Sequence, residues 1–245
     1  MKLSIPIGSA VMALVAIQLL ARKDDNPLRE LREMYDHLGA MKGEPGGAAY
    51  ARYSVTSIPV DTTRMRRTTM TIELVAGPDA ARMKSAELET VRSGAAMTTV
   101  VHASRMIYLL DYDTSSTRDL PLSVVTKLRS VFLDHARVLE VIDGDDGRRT
   151  VRLEPDTAYR VAAKFRHMTF VYDRAALRPL RVDFVYRSGP LAMTSMAFDS
   201  LNASVDPSLL PRGPFDGLLD AAGRPVERLR GYQVVDARGR MRDER

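Results

Sequence analysis

Few side chains in this 245-residue chain have the types and spacing that a catalytic or metal site needs. Histidine is a common general base and zinc ligand, yet no histidine here has a partner at the i, i+4 spacing of a helical metal site. We interpret all of them as surface or structural residues, and His135 sits where a helix C-terminal dipole would favour it. The histidines are His37, His102, His135 and His167.

Residues 143–147 read Asp-Gly-Asp-Asp-Gly, which superficially resembles a calcium-binding loop. The glutamate that closes an EF-hand loop is missing, because Glu154 falls within a predicted strand. A tight β-hairpin turn uses the same residue types, since Asp and Gly tolerate its backbone angles. The pattern therefore predicts a hairpin turn, and we expect neither a metal nor a cofactor.

Signatures of catalytic nucleophiles are missing from the sequence. It contains no G-x-S-x-G, no S-x-x-K and no glycine-rich phosphate loop, and it has no cysteine for a disulfide, a thiolate metal site or a nucleophile. Asp and Glu are plentiful, but nothing singles out a catalytic pair. The sequence favours a protein that is not an enzyme, and an exported hydrolase with an unrecognised site is the less favoured alternative.

The charge pattern argues against nucleic acid as a partner. The net charge is +5, but the 36 basic residues are spread along the chain and interleaved with acidic residues. Binding to a phosphate backbone needs basic residues clustered on one face. We therefore expect no nucleic-acid partner.

The N-terminus predicts export. Lys2 precedes an apolar run over residues 3–21, which Arg22 follows. The run fits a signal peptide cleaved after Ala21, although Leu19 takes a position where a small residue is usual. It is also close to the length of a membrane-spanning helix, so an uncleaved anchor is an alternative, and a buried helix is the least favoured one. The signal peptide and the anchor both place the rest of the chain in the periplasm or another extracytoplasmic compartment, and the anchor attaches it to the inner membrane.

Two segments have the pattern of amphipathic helices. Asn26 and Pro27 form a helix cap and a first-turn proline, and apolar residues follow at helical spacing. Pro121 opens a second segment of the same kind. Each helix needs an apolar surface to lie on. The apolar stripes are Leu28, Leu31 and Tyr35 in the first helix, and Leu122, Val125, Leu128 and Phe132 in the second.

Most of the remaining chain alternates apolar and polar residues with a period of two. This is typical of antiparallel strands with one buried face, and short turns rich in Gly, Pro or Asp separate the runs. The predicted strands begin with one from Tyr50 and continue with residues 66–75, 82–92, 95–103, 105–112, 137–142, 148–154, 166–173, 180–187 and 191–200, with a short strand at 231–235.

The alternation changes phase near the start of the strand at residues 166–173. Apolar residues occupy odd positions up to Phe165 and even positions from Met168 to Tyr172. A one-residue slip reverses the two faces of a strand, so we expect a β-bulge near residues 166–167 that bends the sheet.

These elements predict a mainly antiparallel α+β fold. The sheet is expected to be a single curved sheet or half-open barrel, covered by two or three amphipathic helices. The expected organisation is a signal peptide or membrane anchor at residues 1–21, a sheet domain at residues 22–210 and a C-terminal extension at residues 211–245.

Many of the 13 methionines fall within the predicted strands. Methionine fills gaps in ordinary cores, but it also lines surfaces that accept apolar ligands of variable shape. Both interpretations stay open, because a curved sheet has one large apolar face that two helices cover only in part. The candidate cavity lining is Met70, Ile72, Leu74, Met97, Val101, Met106, Tyr108, Leu110, Phe170, Val182, Phe184, Met193 and Phe198, and the candidate lid is Leu28, Leu31, Tyr35, Leu122, Val125, Leu128 and Phe132.

Several short segments in the second half of the chain carry a family resemblance. They are Tyr172-Asp173, residues 177–180, Val182-Asp183-Phe184, Ser188-Gly189, residues 198–202, and Leu209 or Leu210 after Asp206-Pro207. With the order of elements over residues 26–210, they resemble the periplasmic outer-membrane lipoprotein carrier family, the LolA/LolB-like fold. The resemblance implies a half-open barrel, helices as a lid, an apolar cavity and no catalysis. It also implies a lipid or acylated lipoprotein as ligand and an envelope or membrane protein as partner.

The functional hypothesis is an exported carrier or binding protein that holds lipid or lipoprotein acyl chains in an apolar cavity. Burying a 16-carbon chain contributes on the order of 12 kcal/mol before ordering costs, at roughly 0.8 kcal/mol per CH₂. The alternative is an envelope-associated interaction or scaffold protein on the same fold, with its core filled by its own side chains.

Overall fold

The computed structural model describes residues 26–40, 47–112, 133–156 and 165–239. These residues form one α-helix, two short 3₁₀ helices and a 12-stranded sheet. The helix α1 is Pro27–Ala40, and the strands are β1 (Ala48–Pro59), β2 (Thr68–Ala76), β3 (Ala80–Lys84), β4 (Leu88–Ser93), β5 (Ala96–Val101), β6 (Met106–Asp111), β7 (Ala136–Asp143), β8 (Arg148–Pro155), β9 (Phe165–Asp173), β10 (Arg178–Tyr186), β11 (Leu191–Val205) and β12 (Gln233–Asp236).

Helix α1 begins where the sequence predicts. The Asn26 side chain accepts a hydrogen bond from the backbone N–H of Leu28 at 3.0 Å, and Pro27 occupies the first helical position. The apolar stripe of the helix faces the sheet, because Leu31 and Tyr35 are buried there. Most of the second predicted helix lies outside the described residues.

The sheet consists of two antiparallel meanders that meet at its centre. Strands β1 to β6 run from the centre to one edge, and β7 to β11 run from the other edge back to the centre, where β11 pairs with β1. Strand β12 then adds to β6 in parallel orientation. The sheet is curved and open, so the predicted sheet-dominated α+β fold is confirmed.

The predicted β-bulge is present in β9. Val185 pairs with His167 and Tyr186 pairs with Phe165, which leaves Arg166 as an extra residue on β9. A second register shift lies at the other end of the same strand pair, between Pro179 and Arg181. Both irregularities increase the local twist and bend of the sheet.

The strand predicted at residues 82–92 is wrong in one respect, because it is two strands joined by a turn after Ser85. The Ser85 hydroxyl accepts hydrogen bonds from the N–H groups of Leu88 at 3.0 Å and Glu87 at 3.3 Å. A serine side chain thus stabilises the turn, and neither Gly nor Pro marks it in the sequence. Strands β3 and β4 therefore pair with each other as a hairpin.

The two faces of the sheet are covered at opposite ends. We call the face that carries α1 the inner face, and the opposite face the outer face. On the inner face, α1 packs over β8 to β10, and a second apolar cluster around Tyr53 and Leu74 fills the centre. On the outer face, residues 211–232, which we call the C-terminal strap, pack over β4 to β6.

The C-terminal strap packs the first part of the C-terminal extension against the sheet. Leu218, Leu219 and Leu229 are buried against outer-face residues of β4 to β6, including Val91 and Ile107. The chain then enters β12, which confirms the short strand predicted at residues 231–235.

Candidate functional site

The strand register brings nearly all predicted lining residues to the inner face. Antiparallel partners share a face, and the pairs Ile72–Tyr53, Met97–Leu110 and Val182–Phe170 link the strands into one surface. The predicted residues on this face are Met70, Ile72, Leu74, Met97, Val101, Met106, Tyr108, Leu110, Phe170, Val182, Phe184 and Phe198. Their role as the lining of a ligand cavity stays a prediction.

Met193 is a correction to that set. Its neighbour in the same strand, Met196, pairs with Val182 and faces inward, whereas Met193 pairs with Val185. Three residues separate the two methionines, and side chains alternate every residue along a strand, so Met193 points to the outer face. It cannot line an inner-face cavity together with the other residues.

The end of the inner face beneath α1 is filled by the chain's own side chains. Phe170, Val182 and Phe184 are buried there with Leu31 and Tyr35. The rings of Tyr35 and Phe170 meet edge to face with centroids 6.0 Å apart, and burial raises the pKa of the Tyr35 hydroxyl above its ordinary value. This end is a packed core.

A cleft of about 380 Å³ opens in the other half of the sheet. It lies where the start of β2, the β3–β4 turn and the end of β5 come together. Three of its residues, Met70, Ile72 and Val101, are in the predicted lining. The cleft is lined by Met70, Ile72, Met83, Ser85, Glu87, Leu88, Val101 and Ala103.

Sequence reasoning missed Met83 and Leu88 in the cleft. Both lie in the segment read as one continuous strand, and the unrecognised turn at Ser85 hid their common phase. With the turn in place, Met83 and Leu88 fall on the inner face through their partners Leu74 and Val101. The polar members of the lining, Ser85 and Glu87, come from the turn itself.

Half-buried apolar side chains extend the inner face from the cleft to β6. They are Met97, Met106, Tyr108 and Leu110. Towards the centre, the rings of Tyr53 and Phe198 pack with centroids 5.7 Å apart, and burial raises the pKa of Tyr53 to about 12. The cleft is therefore continuous with a larger apolar surface.

The predicted lid is described only in part. Leu28, Leu31 and Tyr35 of α1 all pack on the inner face. The other lid candidates, Leu122, Val125, Leu128 and Phe132, lie outside the described residues.

A charged network fastens the start of α1 to the sheet. Glu30 accepts hydrogen bonds from the Tyr172 hydroxyl at 2.6 Å, from Arg149 at 3.2 Å and from Arg174 at 3.1 Å. Arg149 also donates to both carboxylate oxygens of Asp143, at 2.6 and 2.8 Å, and thereby holds the pKa of Asp143 below its usual value. Burial, followed by the bond to Glu30, raises the pKa of Tyr172.

Two of the histidines have structural partners. His102 shares a hydrogen bond of 3.1 Å with the Tyr232 hydroxyl, and His135 lies 3.3 Å from Asp156. Burial, with the positive charges of Arg152 and Arg166, lowers the pKa of His167. In the described ranges, no group of three or more histidine and carboxylate side chains is arranged to hold a metal ion.

None of the helices in the described part of the chain has the length and apolar content needed to cross a membrane.

No family model matches the chain, and no curated protein matches it in sequence. Its fold is similar to that of several solved structures. An uncharacterized conserved protein from Thermus thermophilus is 12% identical with a TM-score of 0.42, covering 83% of this chain and 97% of that one. MucB is 16% identical with a TM-score of 0.38, covering 79% of this chain and 64% of MucB. A LolA superfamily protein from Nitrosomonas europaea is 9% identical with a TM-score of 0.31, covering 69% of this chain and 91% of that one. A LolA superfamily protein is thus among the solved structures that this chain resembles.

Proposed function

We propose that this protein is an exported carrier that holds the acyl chain of a lipid or lipoprotein in the inner-face cleft and performs no chemistry on it. The observation that carries the proposal is the lining of the cleft. Met70 and Met83 supply flexible, polarizable walls, and Ile72, Leu88, Val101 and Ala103 supply the rest of the apolar surface. A volume of about 380 Å³ is in the range of ordinary ligand pockets.

Such a cleft suits a ligand recognised by apolar burial. Each methylene group removed from water contributes about 0.8 kcal/mol, so a long chain is captured without any hydrogen bond. Part of that free energy is lost in ordering the chain and the side chains around it. The half-buried surface formed by Met97, Met106, Tyr108 and Leu110 gives the acyl chain further room beyond the cleft.

The compartment and the partners belong to the same proposal. The apolar run at residues 3–21 predicts export to the periplasm, in a cleaved or a membrane-anchored form. An acylated lipoprotein or a lipid would enter the cleft there, and an envelope protein with a better apolar site would receive it.

One observation favours a second candidate function. The inner face beneath α1 is filled, with Phe170 and Tyr35 in direct contact. If the cleft also stayed empty of ligand, the fold would serve as an interaction scaffold in the envelope. Binding of a lipid probe separates the two functions.

The test compares two neighbouring residues of β2 that face opposite ways. Met70→Asp places a charge in the cleft and is expected to weaken binding of a fluorescent 16-carbon fatty acid by about tenfold or more, since burial of a charge opposes an apolar ligand. Thr71→Asp places the same charge on the exposed outer face and should leave the dissociation constant unchanged. Fluorescence titration measures both, and circular dichroism checks folding.

Equal binding by the wild-type protein and Met70→Asp would contradict the cleft as the site. Failure of the wild-type protein to bind the probe would favour the scaffold.

A further inference from the structure

Arg92 is a positively charged residue on the apolar inner face. In β4 it pairs with Ala81 of β3 and Met97 of β5, and Met97 in turn pairs with Leu110. Its strand neighbour Val91 points the other way, into the core beneath the C-terminal strap. A guanidinium among apolar side chains is costly unless it has a partner.

The contacts of Arg92 satisfy only part of its guanidinium. The group lies 5.1 Å from the centroid of the Tyr112 ring, and Nη2 donates a hydrogen bond to the carbonyl of Pro78 at 3.1 Å. Its Nε is buried and has no hydrogen-bond acceptor in the part of the chain that the structure describes. Within the described residues, Arg92 forms no ion pair with a carboxylate.

Two other arginines that are buried or partly buried are neutralised by carboxylates. Arg149 pairs with Glu30 and Asp143, and Arg82 pairs with Asp216. Arg92 therefore retains donor capacity and an uncompensated charge on the face that we propose binds an acyl chain. Buried polar groups left unpaired call for an explanation, and a ligand is one that fits this position.

Arg92 and the cleft lie at opposite ends of the same strand. Leu88, at the first position of β4, lines the cleft, and Arg92 follows four residues later on the same face. At the rise of a β-strand this separation is about 13 Å. Between the two ends lie the inner-face side chains of Thr90, Thr99 and Tyr108. A long acyl chain spans such a distance.

We propose that the ligand is an anionic amphiphile, whose oxyanion head group binds Arg92 while its acyl chain occupies the cleft. This inference rests on the proposed carrier function and narrows its ligand class. A carboxylate and a phosphate share the required chemistry, because two parallel N–H donors of a guanidinium match two oxygens of either group. The Tyr112 ring, 5.1 Å from the guanidinium, would help to hold the arginine in place.

The experiment compares three ligands of equal chain length: palmitate, 1-palmitoyl lysophosphatidate and the uncharged 1-palmitoylglycerol. Binding to the wild-type protein, Arg92→Gln and Arg92→Lys is measured by displacement of one fluorescent fatty-acyl probe. Arg92→Gln should weaken binding of the anionic ligands by about tenfold or more and leave the uncharged ligand within about twofold. Arg92→Lys should fall in between, because it keeps the charge without the two-pronged geometry.

Arg52→Gln is the matched control, because Arg52 is an exposed arginine on the outer face of β1. It should bind all three ligands as the wild-type protein does. A larger loss for palmitate than for lysophosphatidate would assign a carboxylate ligand, and the reverse would assign a phosphate ligand. Circular dichroism and thermal unfolding verify the fold of each variant, and Arg92→Lys serves if Arg92→Gln unfolds.

Two results would overturn the inference and leave the carrier function standing. One is unchanged binding of the anionic ligands by both Arg92 variants. The other is an equal loss for the uncharged ligand, which would assign Arg92 to packing alone. If the wild-type protein binds none of the three ligands or the probe, the inference and the carrier function both fail.

Discussion

Arg149 shows how a charged side chain is accommodated in the core of this molecule. Only 1% of it is exposed, yet it holds two carboxylates, Asp143 on its own hairpin and Glu30 on α1. A buried cation of this kind is tolerated only when its donors are paired. The pairing with Glu30 also links the first turn of α1 to strand β8.

At this scale we predict that Glu30→Gln loosens α1. The substitution removes the charge that pairs with Arg149 and Arg174, and it should lower the free energy of unfolding by about 1–3 kcal/mol. Glu33→Gln, one helical turn away, breaks only the exposed pair with Arg29 and should change stability by less than about 0.5 kcal/mol. Urea unfolding of the two variants gives both values, and similar losses for both would argue against the network as a fastening.

Strands β4 to β6 are distinctive elements because both of their faces carry apolar residues. Ile107 and Leu109 face the C-terminal strap, while Tyr108 and Leu110 face inward. The strap is held by more than apolar contact, since Arg228 donates to both carboxylate oxygens of Glu89, at 2.8 and 3.0 Å. Arg82 similarly donates to the carbonyl and the carboxylate of Asp216.

For this element we predict that Arg228→Ala destabilises the protein by about 3 kcal/mol, because the carboxylate of Glu89 is left buried without its partner. The Glu89 side chain is only 3% exposed. The control is Arg230→Ala, since Arg230 and its partner Glu227 are both exposed and the expected change is below about 0.5 kcal/mol. A chemical unfolding curve for each variant is the measurement, and an unaffected Arg228→Ala protein would show that the pair does not fasten the strap.

At the scale of the whole molecule, α1 and the C-terminal strap lie on opposite faces at opposite ends of the sheet. Helix α1 covers the inner face of β8 to β10, and the C-terminal strap covers the outer face of β4 to β6. The strap supports the strands of the cleft from behind. The inner face in that half is left with half-buried side chains and the cleft.

We therefore predict that a chain ending at Leu210 loses its solubility as a folded monomer. Removal of the strap exposes Val91, Val100, Ile107 and Leu109 as one apolar patch, and such patches promote association. Light scattering and binding of a hydrophobic dye measure the effect. A chain ending at Gly239 keeps the strap and β12 and should behave as the full chain does, and the prediction fails if both truncated chains remain monomeric.

The sequence predicted which face of each strand is apolar better than it predicted where strands begin and end. Alternation assigns faces reliably when only one phase is apolar, as in Met70, Ile72 and Leu74. It fails in β11, where Met193 and Met196 occupy opposite phases and only the pairing with β10 decides between them. The bulge at Arg166 was predictable because the same change of phase occurs inside a single strand.

The turn at Ser85 and the strap were beyond prediction for physical reasons. A serine hydroxyl, with no Gly or Pro, makes the turn, so the usual markers of a chain reversal are missing. The strap is irregular, so its sequence has no helical or strand periodicity. The sequence signal for it lies in β6, where every residue from Ile107 to Leu110 is apolar, as is typical of a strand buried on both faces.

The order of the strands also governs when the protein can fold. Strand β1 must wait for β11 to emerge before the central ladder forms, and β6 waits for β12 at the end of the chain. Pairings between such distant segments make folding slow. For the exported protein that we propose, this delay would be useful, because the complete sheet cannot assemble until nearly all of the chain has been synthesised.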